Sequence, residues 1–302
     1  MKQITLKSSF RVESIGLHTG RYIHAEFCPA PENHGYKIQR TDIDGHPVIE
    51  CLATNVVETQ RGTVIANGDV RVSTIEHAMA ALYASRIDNV LIKLDGPEMP
   101  IMDGSAMMFI NKIYEVGLQE QNAEKQYLVI PERRIEVKGQ NGELLIAVPD
   151  DKEMSVQTMI TFDSEWLANQ EAELNSLDDF AGDIASARTF VFVRELMPLV
   201  EAGLIKGGDL DNAIVIYENE LPQDKYDFLA DKMKVPHQDA KKLGYLNHRP
   251  LVWKNEPARH KLLDIIGDMA LIGHPIKGRI IAVKPGHTIN NVLARKLQSY
   301  GL

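Results

Sequence analysis

The chain has 302 residues, of which 44% are hydrophobic and 25% charged, and its formal net charge is −9. It is long enough for one large core or two ordinary ones, and its acidic balance argues against nucleic-acid recognition through a broad basic patch. Having only Cys28 and Cys51 argues against a disulfide-stapled secreted scaffold and excludes a Cys-rich zinc site.

The opening "MKQITLKSSF" lacks the apolar run of a signal peptide. No stretch approaches the about 18 uninterrupted apolar residues of a membrane span, so no transmembrane segment is expected and the cytoplasm is the expected compartment. Residues 3–12 and 21–29 alternate polar and apolar and predict strands, joined by the glycine-flanked turn "IGLHTG" (15–20). "STIEHAMAALYAS" (73–85) predicts a helix and "NVLIKL" (89–94) a strand. A Gly/Pro loop, "DGPEMPIMDGSA", leads to a helix over 106–116 that stops at Gly117. "QEQNAEKQ" (119–126) is polar and aperiodic and reads as a linker, dividing an N-terminal α/β domain (1–122) from a C-terminal one (123–302).

Strands follow near 127–138, 143–148 and 154–162, and the acidic "NQEAELNSLDD" (169–179) reads as surface. Residues 188–217 predict strand, short helix, strand. "PARHKLLDIIGDMALIG" (257–273) predicts a buried helix, and 279–283 a strand. Helix, strand, Gly-containing loop and helix occur in this order twice, after His77 and again after His260. Gly104–Ser105 follows the first histidine at the interval by which His287–Thr288 follows the second. An α+β protein of two domains with like topology is therefore expected, each offering a histidine from the first turn of a matching helix.

The buried helix also carries His260, Asp264 and Asp268, spaced by four and so on one face. A zinc hydrolase needs three His, Asp or Glu ligands and an open position for water. His260 and Asp264 fit as an i, i+4 pair, and His77 is the third candidate from its equivalent place. Glu76, beside His77, could act as general base. His287 in "KPGHTINN", held protonated by Asp268, could act as general acid for an amine leaving group. Thr189 and Lys261 are possible donors to an oxyanion. Each feature has a plainer reading. Ser73-x-x-Glu76 is a ready capping box. His260 and Asp264 could be an ordinary core-edge pair, and His287 a turn residue. Thr189 could be a strand residue, and Asp103 a cap or Asx-turn.

Six ordered motifs make the chain resemble the UDP-3-O-acyl-N-acetylglucosamine deacetylases: "IGLHTG", "STIEHAMAAL", "IDNVLIKLDGPEMPIMDGSA", "ARTF", "RHKLLDIIGD" and "GHTINN". The resemblance runs over essentially the whole length. It implies two α/β domains, each a small sheet packed on paired helices, with the active site at their junction. It implies amide hydrolysis that releases acetate from an acylated UDP-glucosamine, the committed step of lipid A biosynthesis. By resemblance His77, His260 and Asp264 match ligands of Zn2+, whose donors also accept Fe2+. Glu76 matches the base, His287 and Asp268 the catalytic imidazole and its partner, Thr189 a carbonyl-polarising hydroxyl, and Lys261 a lysine beside the metal. Phe190 matches an aromatic near the sugar or nucleotide. His18 and Asp103 match structural or substrate-proximal positions.

Residues 191–217 fall where the family has an insert that forms an apolar acyl passage. Val191, Phe192, Leu196, Leu199, Val200, Leu204 and Ile214 would build it, unless they are simply the core of a βαβ unit. Val191 departs from the glycine expected in Thr-Phe-Gly-Phe, which bears on passage shape. Some relatives continue into an acyl-carrier dehydratase domain, so a fused downstream domain is a candidate partner. Two other functions remain open: a metal phosphohydrolase with the same ligands, and a non-enzymatic sugar-nucleotide or lipid binder without metal.

Overall fold

A computed structural model describes residues 1–131, 133–202, 206–246 and 249–300. The first half runs β1 (Lys2–Leu6), β2 (Phe10–Ile15), β3 (Tyr22–Pro29), β4 (Tyr36–Arg40) and β5 (Val48–Glu50). A small three-stranded sheet follows, β6 (Val56–Glu58), β7 (Val64–Asn67) and β8 (Val70–Val72). Then come α1 (Glu76–Ala84), β9 (Val90–Leu94), α2 (Met107–Val116) and β10 (Leu118–Glu124). The second half runs β11 (Leu128–Val129), β12 (Ile135–Lys138), β13 (Leu144–Glu153), β14 (Ser155–Ile160), β15 (Gln170–Leu174) and the single turn α3 (Phe180–Asp183). It continues through β16 (Phe190–Phe192), α4 (Val193–Glu201), β17 (Ile214–Tyr217), α5 (Gln223–Met233), β18 (Gly244–Leu246), α6 (Glu256–Ala270), β19 (Ile276–Val283) and α7 (His287–Gln298).

The two main sheets share one topology. The first is ordered β2-β3-β9-β4-β5 and the second β12-β13-β19-β14-β15, with β11 added beside β19. In each, the last strand to enter lies in the middle, antiparallel to the second strand and parallel to the third. A parallel neighbour cannot be reached by a hairpin, and α1 or α6 precedes the central strand in the corresponding place. The same order of elements therefore produces two α/β domains of like architecture.

Their apolar faces meet through the helices. Every residue of α1 is buried, as are Leu262, Leu263, Ile265 and Ile266 of α6. Each fully buried side chain of this size contributes about 1.5–3 kcal/mol. Close approach of α1 and α6 depends on Gly267, where an added Cβ would stand 2.2 Å from the Glu76 carbonyl oxygen. The helical hydrophobic pattern of 257–273 is thus the pattern of a helix packed between two domains.

Several expectations need correction. Residues 119–126 are not an unstructured linker: β10 pairs antiparallel with β1, from Leu6↔Leu118 to Lys2↔Glu124. Most β10 side chains are exposed, so the strand is fixed by backbone pairing and shows no apolar alternation. Strand β10, through Glu124, is thus hydrogen-bonded to β1 of the first half. The acidic stretch is likewise ordered. In β15 Ala172 and Leu174 are buried while Glu171 and Glu173 face solvent, the period of a half-buried strand. The strand expected over 3–12 is two strands, broken at residues 7–9. Helix α1 begins at Glu76 because Thr74 takes φ of 58°, and no side chain caps it. The capping-box reading of Ser73 and Glu76 fails for that reason. His260 is the fifth residue of α6, one position further in than expected, because the helix begins at Glu256.

The insert is also larger than strand–helix–strand. β16, β17 and β18 form a sheet of their own, with α4 and α5 against it. A second apolar cluster, including Leu196, Val215, Tyr217, Tyr226 and Leu229, holds it together. β17 is buried on both faces: Ile214 and Ile216 join the main core, while Val215 and Tyr217 face the insert.

Candidate active site

The first turns of α1 and the middle of α6 bring three side chains from both halves together. Nitrogen or oxygen atoms of His77, His260 and Asp264 all lie within 4.8 Å of one another, and all three residues are buried. The two imidazoles meet edge to face at 5.1 Å. His260 Nδ1 lies 3.0 Å from the Ala187 carbonyl, which accepts only, so that nitrogen carries the proton. The Nε2 atom is left free, 3.4 Å from Asp264 Oδ1. Lys261 Nζ donates to Asp264 Oδ2 at 2.8 Å.

Charge states follow from burial and neighbours. Burial, with His260 beside it, pushes His77 down to about 3. Burial also lowers His260. Both rings are therefore neutral near pH 7. Burial alone would raise Asp264, but Lys261 and the surrounding imidazoles outweigh it and hold the carboxylate well below its usual range. Asp264 Oδ1 is nevertheless buried without a hydrogen-bond partner among the described residues. Two neutral imidazoles, one ionised carboxylate and an orphaned buried oxygen are a donor set that fits a divalent metal.

Glu76 and His287 stand beside this triad. Glu76 Oε2 accepts from the Thr63 backbone N–H at 3.1 Å. Burial raises Glu76 to about 7, reinforced by Asp264 and Asp268 against the pull of His287. His287 opens α7. Burial there disfavours the imidazolium, but Asp268, Asp264 and Glu76 outweigh it and raise His287 to about 9. His287 Nδ1 is 3.0 Å from Asp268 Oδ2, and its Nε2 is 3.8 Å from both Glu76 Oε1 and Asp264 Oδ2. A carboxyl raised to about 7 and a cationic imidazole stand 3.8 Å apart beside the triad, the pairing expected of a base and an acid.

A cleft of about 1010 Å³ opens over these groups. Thr189, Lys261 and His18 line it, along with Glu76, His287 and the triad. Thr189 precedes β16, anchored through its N–H to the Gly104 carbonyl at 2.8 Å. Behind it Arg188 and Glu256 form a buried ion pair at 2.8 Å. On the insert's side Phe190, Val191, Phe192, Leu196 and Leu199 line the cleft, joined by Phe162, Val215 and Met233. Lys261 Nζ lies 5.4 Å from the Phe190 ring centroid. On the side of α7 the lining is polar, with Thr59, Arg61, Asn141, Lys284 and Thr288.

Other expected positions fall elsewhere. Ile214 is fully buried in the main core and its neighbour Val215 takes the cleft-facing place, because a strand's side chains alternate. Val200 is likewise not among the cleft residues. Leu204 lies outside the described residues. Asp103 Oδ1 accepts from the Ser105 N–H and hydroxyl, an Asx-type turn. Thr63 was not anticipated. Its hydroxyl donates to Asp268 Oδ1 at 2.6 Å. The one local signal was the turn composition of Arg61-Gly62, where both residues take positive φ. Phe162 and Met233 carried no sequence signal that set them apart from core residues.

Among the described residues no helix is long and apolar enough to cross a membrane. Comparison with known proteins agrees with the geometry. The family described as UDP-3-O-acyl N-acetylglycosamine deacetylase matches residues 3–233 and 239–299. A protein of Bacteroides thetaiotaomicron named Bifunctional enzyme LpxC/FabZ is 56% identical over 299 residues, covering 99% of this chain and 64% of that protein. A Porphyromonas gingivalis protein of the same name is 55% identical over 297 residues, again 64% of its length. The UDP-3-O-acyl-N-acetylglucosamine deacetylase of Acidithiobacillus ferrooxidans is 37% identical over 300 residues, 98% of this chain and 90% of that protein. The chain thus spans about two thirds of the bifunctional relatives and most of the single-function one. With the match extending across both halves and most of the insert within the second, the chain belongs to the UDP-3-O-acyl N-acetylglycosamine deacetylase family.

Proposed function

We propose that the chain hydrolyses the N-acetyl amide of UDP-3-O-(3-hydroxyacyl)-N-acetylglucosamine and releases acetate, the committed step of lipid A biosynthesis. His77, His260 and Asp264 would hold the metal, Zn2+ or, with the same donors, Fe2+. When bound, such an ion supplies Lewis-acid polarisation of the amide carbonyl and makes water a stronger acid. The observation that carries the proposal is the 3.8 Å approach of His287 Nε2 to Glu76 Oε1 at the edge of the triad.

Glu76, ionised, accepts the proton of the attacking water as the tetrahedral centre forms. The Thr189 hydroxyl and the Lys261 ammonium face the developing oxyanion. His287, kept protonated by Asp268, donates from Nε2 to the departing nitrogen as the C–N bond breaks. Amides hydrolyse slowly because the amine leaves poorly, so an acid separate from the base is chemically sensible. Phe190 would lie against the sugar or nucleotide, and the apolar side of the cleft, with Val191, Phe192, Leu196 and Leu199, would receive the acyl chain. The names of the bifunctional relatives support a place as the deacetylase portion of a longer protein with a dehydratase domain, and the substrate places the work in the cytoplasm.

The test is acetate release from the acylated sugar nucleotide, set against phosphate release from simple phosphate esters, with the metal content of the same preparation. Glu76→Ala and His287→Ala should each lower turnover on the order of a hundredfold or more. Near-wild-type rates in both, or phosphate release in place of acetate, would reject the proposal.

A further inference from the structure

We propose that Thr63, in the turn before β7, is a positioning residue that sets the general base and the general acid against each other. The inference rests on the deacetylase reading, since the groups it holds are Glu76 and His287. Thr63 is 1% exposed. Its N–H donates to Glu76 Oε2 at 3.1 Å, and its hydroxyl donates to Asp268 Oδ1 at 2.6 Å. The same Oγ1 lies 3.2 Å from His287 Nδ1. One residue of the first half thereby touches the carboxylate of α1, the carboxylate of α6 and the imidazole of α7.

Proton counting fixes the directions. An ionised carboxylate only accepts, and a hydroxyl has one proton. The Thr63 proton therefore goes to Asp268, and the Thr63 oxygen is left to face an N–H at His287 Nδ1. Asp268 Oδ2 accepts from His287 Nδ1 at 3.0 Å and from Asn290 Nδ2 at 2.8 Å. Both oxygens of Asp268 are thus engaged, and the carboxylate cannot rotate without breaking a bond. The imidazole is held with Nδ1–H inward and Nε2 toward the cleft. Gly62 allows the approach: with φ of 153°, an added Cβ would stand 3.0 Å from Glu76 Oε1. By analogy with residues that orient metal ligands, losing a residue that orients these groups should cost about 10–100-fold in activity.

The experiment compares Thr63→Val, Thr63→Ala and Thr63→Ser in the full metal-loaded chain. Val and Ala should lower kcat by about 10–100-fold with KM within about twofold, while Ser restores the rate to within about threefold. Metal stoichiometry should be unchanged in all three. The second readout is the NMR signal of the His287 Nδ1–H proton, sheltered from exchange in wild type and Thr63→Ser and exchange-broadened in Thr63→Ala. Should Thr63→Val misfold, Thr63→Ala removes the hydroxyl without adding bulk and decides the matter. Wild-type turnover in Val or Ala, a Ser variant as slow as Ala, or a loss confined to KM would overturn the role. If the wild-type chain releases no acetate, the deacetylase reading fails, and the NMR comparison still decides whether Thr63 orients His287.

Discussion

Gly267→Ala sets two effects of opposite sign against each other. Alanine is favoured over glycine inside a helix by roughly 0.5–1 kcal/mol, so propensity alone predicts stabilisation. Packing predicts the reverse. The new Cβ would meet the Glu76 carbonyl oxygen at 2.2 Å, its carbon at 2.9 Å and its Cα at 3.1 Å. All three are backbone atoms, so no side chain can swing aside. Relief requires α1 and α6 to part by roughly 1 Å, and overpacking a filled core costs about 1–3 kcal/mol. The steric term wins, and a net loss of about 1–2 kcal/mol is expected. The same separation carries Glu76 and His77 away from His260 and Asp264, and a misplacement of about 1 Å costs on the order of a hundredfold in rate. Urea unfolding should show a lower midpoint at unchanged slope, and acetate release should fall with it. A variant as stable and as active as wild type would refute the claim that this helix contact sets the site.

Four further expectations concern the site and its supports. The pH dependence of kcat/KM should rise as Glu76 ionises and fall as His287 loses its proton, with limbs at or below about 7 and 9 respectively, because a bound cation favours the less protonated form of each. Asp268→Asn should move the alkaline limb to lower pH, since burial then acts on His287 with one counter-charge fewer; an unmoved limb would contradict that assignment. Glu256→Gln leaves the buried Arg188 guanidinium without its counter-charge and should destabilise by up to about 3–5 kcal/mol. It should also weaken metal binding, because Ala187, whose carbonyl holds His260, adjoins Arg188; thermal denaturation and a metal titration check both. Val191→Gly should shift kcat/KM toward bulkier or longer acyl chains, and identical length profiles for the two proteins would separate Val191 from the passage.

Where one helix face carried the pattern, the site could be read from the order of residues. His260, Asp264 and Asp268 declared a common face by their spacing alone, and the repeat around His77 supplied its counterpart in the other half. Other parts were silent for identifiable reasons. β10 is stabilised by backbone bonds to β1 and exposes most of its side chains, so no hydrophobic period marks it. β17 is buried on both faces, so its composition does not say whether Ile214 or Val215 meets the cleft. Thr63 is a common residue in a turn, and its importance comes from partners far away along the chain, including Asp268, which is 205 positions on.

Local chemistry determined which residue types could act and which helix would present them, because helical spacing is a property of the backbone. Only the folded chain decided that His77 meets His260, that Glu76 faces His287 and not a helix cap, and that Val215 replaces Ile214 at the cleft. The first two outcomes depend on how two similar domains pack through Gly267 and the third on which face of β17 meets the insert, and the packing of distant segments is written in no single stretch of sequence.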